Sequence, residues 1–365
     1  MRSPRSPRSP SSPSANGGWQ EALDQVLAAI HIGSPHELTF AGRRLAVAPA
    51  AGPPVPGQGG PAGDGAAPVP LVELLTGVLY RYVYSRPFRP PLPPESPEAV
   101  EREDFTVDPG LIATLSAANA SRDRWEHGWT IGQIHSSGQV TAQRGNASRS
   151  LWPGQFLSQD GPGARPRPGA QISIFYPRES TSLQPGFYYC FGETPEDESF
   201  SLGLVRIYWN VALAGAPDLV RALSARLNFF QVPFRAKCSV MPSQYDRTDV
   251  AVVYLAKRLF PFVADLLQEV YPAVGPHLGP EVPFFTWRLA PGVGVAEDPR
   301  TGESFGQHRC RLLAEACWSC YLRGEQEPAP RLLELRRLAG EQGVDPERLH
   351  LNAGSLDCYE APGFE

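Results

Sequence analysis

Lysine is nearly missing from this chain of 365 residues. Only Lys237 and Lys257 occur, both within "QVPFRAKCSVMPSQYDRTDVAVVYLAK", and the other 31 of the 33 basic residues are arginine. Long apolar runs are missing as well. No stretch approaches the ~18–20 residues that a membrane helix needs, so no membrane association is expected. The opening "MRSPRSPRSPSSPSANGG" is basic and rich in Ser and Pro. No apolar core follows it, so residues 1–17 read as a disordered arm and not as a secretory signal. Six cysteines in a long chain without an export signal read as reduced thiols, and a cytoplasmic location is expected. Cys317 and Cys320 form a C-x-x-C, but no second Cys/His pair stands at finger spacing, so no metal is expected. On a helix, Cys310, Leu313, Cys317 and Cys320 share one apolar stripe, which reads as core. A phosphate-binding G-x-x-x-x-G-K-[ST], an H-E-x-x-H and a G-x-S-x-G are all absent. No cofactor is implied. With a net charge of −5, bulk electrostatics exclude a general nucleic-acid binder, and any anion recognition has to be a local arginine cluster.

Proline and glycine are abundant, at 40 and 35 residues, and they cluster. "AVAPAAGPPVPGQGGPAGDGAAPVP" (46–70) reads as an unstructured connector, and "PFRPPLPPESPEAVERED" as a second extended one. Around the first of these, "WQEALDQVLAAI", "LVELLTGVLYRYVY" and "PGLIATLSAANAS" carry helical periodicity, so 18–125 reads as a small helical N-terminal region. From Gly128 the texture changes. "GWTIGQIHSSGQVTAQRG" signals a hairpin turning at Ser137-Gly138, and "AQISIFYP", "GFYYCFGE", "GLVRIYWNV" and "VPFRAKCSV" read as strands. "PDLVRALSARLNFF", "RCRLLAEACWSCYL" and "APRLLELRRLAGEQG" read as helices, the last closed at Gly343. "RTDVAVVYLAKRLFPFVADLLQEVY" reads as one long helix, kinked or broken at Pro261. "PGVGVAEDPRTGESFG" reads as a long structured loop. The expected fold class is α+β: an antiparallel-leaning sheet faced by helices on one side, occupying 126–365.

The chemistry-bearing residues are cationic. Arg235 and Lys237 are two apart in a strand and face the same way. Arg206 sits inside an apolar strand, where a charge needs a partner such as Glu193 or Glu297. Arg247 follows the turn-like "PSQYD", Arg288 lies in "FFTWRLAPG", and His308-Arg309 open a helix, itself an anion site. Arginine binds phosphate or carboxylate with a planar fork and stays charged. Burial and nearby positive charge turn a lysine into a base near neutrality, work for which arginine is no substitute. Lys237 is therefore the candidate base. Lys257, beside Arg258, reads as a solvated charge.

"QPGFYYCFGE", "VRIYWNV", "LNFFQVPFRAKC", "YDRTDVAVVYLAK", "LAPGVGVAEDPRTGESFGQHRC" and "LNAGS", in that order, resemble the HopA-type effector domain over roughly 128–355. That family occurs in bacterial type III effectors and as stand-alone proteins in class V lanthipeptide and thioamitide biosynthesis. The resemblance implies a phosphoserine/phosphothreonine lyase. A kinase resembling aminoglycoside phosphotransferases phosphorylates the precursor peptide, and the lyase eliminates the phosphate to leave dehydroalanine or dehydrobutyrine. In those terms Lys237 is the base, His308 the acid, and Arg206, Arg235, Arg247, Arg288 and Arg309 the phosphate or peptide contacts. The precursor peptide and the kinase are the partners. Effector phosphothreonine lyases pair a Lys base with a His acid in a local pattern that is not found here; two residues after Lys237 stands Ser239. Tyr245, Tyr254 and water remain open as the acid, and Lys257 as the base. A non-catalytic phosphopeptide or kinase scaffold, and an effector acting on host proteins, are the alternatives.

Overall fold

Alternation of apolar and polar residues, closed by glycine turns, builds most of the strands. The computed structural model describes residues 18–47, 69–92, 106–161, 163–196 and 203–359. The expected arm (1–17) and most of the Pro/Gly connector fall outside the described residues. The chain forms two units, neither contiguous in sequence. The first comprises Met1–Val100, Pro283–Phe285 and Pro299–Ser355, the second Glu101–Val282, Thr286–Asp298 and Leu356–Glu365. The N-terminal region 18–125 thus contributes to both.

In the first unit, helix α1 (Gly18–Ala28) leads into a three-stranded antiparallel sheet of β1 (Ile30–Ser34), β2 (Glu37–Phe40) and β3 (Arg43–Ala46). The region is therefore not wholly helical. Ile30, read as the end of the first helix, opens β1 instead, and Ile30, Ile32, Leu38 and Phe40 alternate into the core. Helix α2 (Pro70–Leu79) runs on into one π turn, Tyr80–Tyr84. It packs on the long α6 (Phe305–Leu322), which in turn packs on α7 (Pro328–Glu341). Ser304 caps α6 by accepting a bond from the Gln307 N–H at 3.2 Å. The stripe of Cys310, Leu313, Cys317 and Cys320 is fully buried, as core thiols should be. Gly306 is a close-approach glycine, because a Cβ there would stand 2.2 Å from the Tyr84 ring.

In the second unit, α3 (Pro109–Ala118) is capped by the Asp108 carboxylate, which accepts from the Gly110 N–H at 2.7 Å. A five-stranded sheet has the order β6-β5-β4-β8-β7: β4 Arg124–Ile134, β5 Val140–Arg144, β6 Ala147–Leu151, β7 Phe156–Ser158 and β8 Gln171–Tyr176. The hairpin turns at Ser137-Gly138, where Gly138 takes a φ of 85°.

A seven-stranded sheet has the order β14-β15-β11-β13-β12-β10-β9, and every pairing is antiparallel. Its strands are β9 Glu179–Ser180, β10 Phe187–Phe191, β11 Leu204–Trp209, β12 Arg235–Ser239, β13 Ala251–Ala256, β14 Trp287–Ala290 and β15 Val293–Glu297. One face of this sheet is apolar and buried: Cys190, Val205, Ile207, Trp209, Ala236, Cys238, Val253 and Leu255. Helices α4 (Ala216–Phe229) and α5 (Phe260–Val274) complete the unit. Architecture and strand pairing are those of an α+β fold.

Three sequence expectations for the second unit are corrected. Ala251–Ala256 is a central strand and not the start of a helix, because "AVVYLA" is β-branched and aromatic and both its faces are covered. Pro261 does not break a helix; it stands in the first turn of α5, where its missing N–H costs nothing. Val293–Glu297 is likewise a fully buried strand inside the stretch read as a loop. Among the described residues no helix is long and apolar enough to cross a membrane.

Candidate functional site

The second face of the seven-stranded sheet carries the charges. Register places Arg206, Tyr254 and Arg235 side by side on β11, β13 and β12, with Phe191 next on β10. The neighbouring row on that face is Tyr208, Val252, Lys237 and Tyr189. A row step along a strand is about 7 Å and a step to the next strand about 4.8 Å, so Lys237 and Arg235 are immediate neighbours.

Lys237 is largely buried. Its ammonium donates to Gln184 Oε1 at 3.0 Å, and Tyr189 Oη donates to that same oxygen at 2.8 Å. The ammonium stands 4.2 Å from the Phe187 ring centroid and 5.9 Å from that of Tyr254. Among the described residues it pairs with no carboxylate. Burial first, then the positive charges of Arg206 and Arg247, lower its pKa to about 8, against an opposing pull from Asp249. Lys257 differs in each respect. Its ammonium binds Glu297 Oε1 at 2.6 Å and the Leu356 carbonyl, and the Tyr359 hydroxyl donates to the same Glu297 oxygen at 3.0 Å. It is the cationic half of a buried ion pair, not a solvated charge.

The arginines near Lys237 are all held by acids. Arg206 donates to Asp298 through Nε at 2.8 Å and through Nη2. Arg235 makes a two-point pair with Glu196. Arg247 grips Asp249 at 2.8 and 2.9 Å and donates to Gln244 Oε1 at 3.1 Å. Glu193 and Glu297, the acids expected for strand arginines, instead hold Arg122 and Lys257.

Arg288 shares the lysine's register row, but on β14 it is four strands away, about 19 Å across the sheet, and its guanidinium binds the Pro280 carbonyl. His308 and Arg309 belong to the first unit and are committed within it. Arg309 Nε donates to the Leu349 carbonyl at 2.7 Å and its other end meets His308 Nδ1 at 2.8 Å. Burial and that guanidinium lower the His308 pKa to about 4, so its ring is neutral near pH 7. Tyr254, between Arg206 and Arg235, has its hydroxyl pKa pushed up by burial, as does Tyr245, which donates to the Ser239 carbonyl at 2.8 Å.

Gln184, Phe187 and the three acids Asp298, Glu196 and Asp249 escape sequence reasoning. A β-branched reading of "DVAVVYLA" would have set Tyr254 among the arginines. Nothing local in the sequence marks Gln184.

The HopA1 effector protein family model matches residues 178–351. Over that span the chain is similar to the HopA1 effector family. Two solved structures, both titled effector proteins of Pseudomonas syringae, are similar to it. That from pathovar tomato strain DC3000 has 17% identity and a TM-score of 0.43, and that from pathovar syringae strain 61 has 15% and 0.41. Each alignment covers 76% of this chain and 88% of the other. No curated protein matches.

Proposed function

We propose that this protein is a phosphoserine/phosphothreonine lyase acting on a peptide phosphorylated by a separate kinase. The observation that carries the reading is Lys237: a largely buried lysine with a pKa near 8 and no carboxylate partner among the described residues, beside Arg206 and Arg235 on one sheet face and near Arg247 of the turn between β12 and β13. A base of that kind fits abstraction of a weakly acidic Cα proton. The neutral amine takes the Cα–H, the C–H electron pair forms the Cα=Cβ bond, and the Cβ–O bond breaks with its pair leaving on phosphate. The arginines supply positive charge around the leaving dianion. Tyr254, paired in register with both Arg206 and Arg235, is the better candidate to donate a hydrogen bond to the leaving oxygen. His308 is neutral near pH 7 and has no acidic proton to give readily.

The reading is tested by mass spectrometry of a phosphothreonine peptide incubated with wild type, Lys237→Ala and Lys257→Arg. Loss of phosphoric acid with wild type and Lys257→Arg, but not with Lys237→Ala, is expected. Elimination that survives Lys237→Ala overturns the choice of base. No elimination from any phosphopeptide by a folded wild type leaves a binding scaffold as the reading.

A further inference from the structure

A second cationic feature of the second unit adjoins the lysine's sheet face at Arg235. It is a cleft of about 510 Å³ whose lining includes Arg124, Arg144, Arg149, Arg235, Tyr176 and Leu183. Two glutamates, Glu126 and Glu196, also line it. They are already matched: Glu126 to Arg144 at 3.0 Å and Glu196 to Arg235. Arg124 and Arg149 are not. Arg124 donates to the Gly192 carbonyl at 2.9 Å, but its Nε is buried with no hydrogen-bond partner. Among the described residues neither arginine pairs with a carboxylate. Both guanidiniums stand over the one Tyr176 ring, at 4.6 and 5.9 Å from its centroid. Burial lowers the Arg124 pKa, the mark of a charge not fully compensated. The cleft therefore holds a surplus of two positive charges, an orphan donor and an aromatic wall. One wall is β6, the last strand of its sheet, whose outer edge is unpaired among the described residues. An extended chain can add to such an edge while its side chains enter the cleft.

We propose that this cleft binds an extended, acidic peptide segment, with Arg124 and Arg149 taking its carboxylates. The proposal rests on the reading that the substrate is a peptide and assigns this cleft to the part of it that flanks the reacting residue.

The test is binding, not turnover: fluorescence anisotropy of a labelled octapeptide of alternating Ala and Glu, with the Ala/Gln octapeptide as control. Wild type should bind the Glu peptide at least ~10-fold more tightly, and each of Arg149→Ala and Arg124→Gln should lower that affinity by about 10-fold, the loss of one charge-assisted bond. Arg149 is exposed, so its variant keeps the test valid if Arg124→Gln does not fold. Binding of the Glu peptide by a wild type that eliminates phosphate from no phosphopeptide would overturn the lyase and leave this site standing. Equal affinity for the two peptides, undiminished binding by Arg149→Ala, or displacement of the probe by inorganic phosphate but not by unlabelled Glu peptide would overturn the proposal.

Discussion

Replacing Lys237 by methionine should stabilise the protein near neutral pH. The lysine pKa falls from its ordinary 10.5 to about 8, which at 1.36 kcal/mol per pH unit is a penalty of about 3 kcal/mol for keeping the ammonium where it is. Methionine fills a similar volume without the charge. It forfeits the bond to Gln184 and the contact with the Phe187 ring, each worth about 1 kcal/mol. The net gain is about 1–2 kcal/mol. Its pH dependence has a definite sign. The folded pKa lies below the unfolded one, so the penalty on the wild type is complete below about pH 8 and disappears as pH rises toward 10.5. Urea unfolding of both proteins from pH 7 to 10.5 therefore yields a stability difference that favours Lys237→Met at pH 7 and shrinks across that window. Other titrating groups cancel in the difference. A difference that is flat with pH, or a methionine variant that is the less stable at every pH, refutes the argument that the lysine is charged at a cost.

If Lys237 is the base, the elimination rate should rise about tenfold per pH unit below about pH 8 and level off above it, and a rate that falls with pH over that range is the contrary result. Gly306→Ala should lower stability by about 1–3 kcal/mol in thermal unfolding, since its methyl would meet the Tyr84 ring at 2.2 Å, while Gly138→Ala tests only turn strain and meets no neighbour. Native protein should react slowly with a thiol reagent: burial pushes the Cys190, Cys238 and Cys317 thiols up to about 12, and Cys358, the half-buried one, should be labelled first.

The strands of the sheet were legible because "FRAKCS" alternates between a buried apolar face and a charged one, and because "GFYYCFGE" and "RIYWNV" are short aromatic and β-branched runs. Arg235 and Lys237 follow from the same alternation. What sequence could not deliver was the central strand Ala251–Ala256: buried on both faces, it loses its alternation, and an uninterrupted apolar run followed by helix-forming residues looks helical. The short N-terminal sheet hid for a related reason, since four-residue strands with Gly turns leave too little pattern to compete with a preceding helix. The arginines' acids lie 2 to 92 positions away, from Asp249 beside Arg247 to Asp298 opposite Arg206, and only tertiary pairing brings the distant ones in. His308-Arg309 were read as opening a helix, but the helix begins three residues earlier at Phe305, and both side chains are engaged inside the first unit.

The two-point ion pairs of Asp298, Glu196 and Asp249 with the three arginines make this site behave as a loaded ion-exchange resin, not as a bare electrode. Its resident counter-ions are tethered carboxylates. An arriving anion gains only the difference between its own bonds and those it displaces, so a singly charged carboxylate exchanges at no profit while a dianion with three oxygens does better. The face also projects little field into solution, so capture of an anion here should depend only weakly on ionic strength.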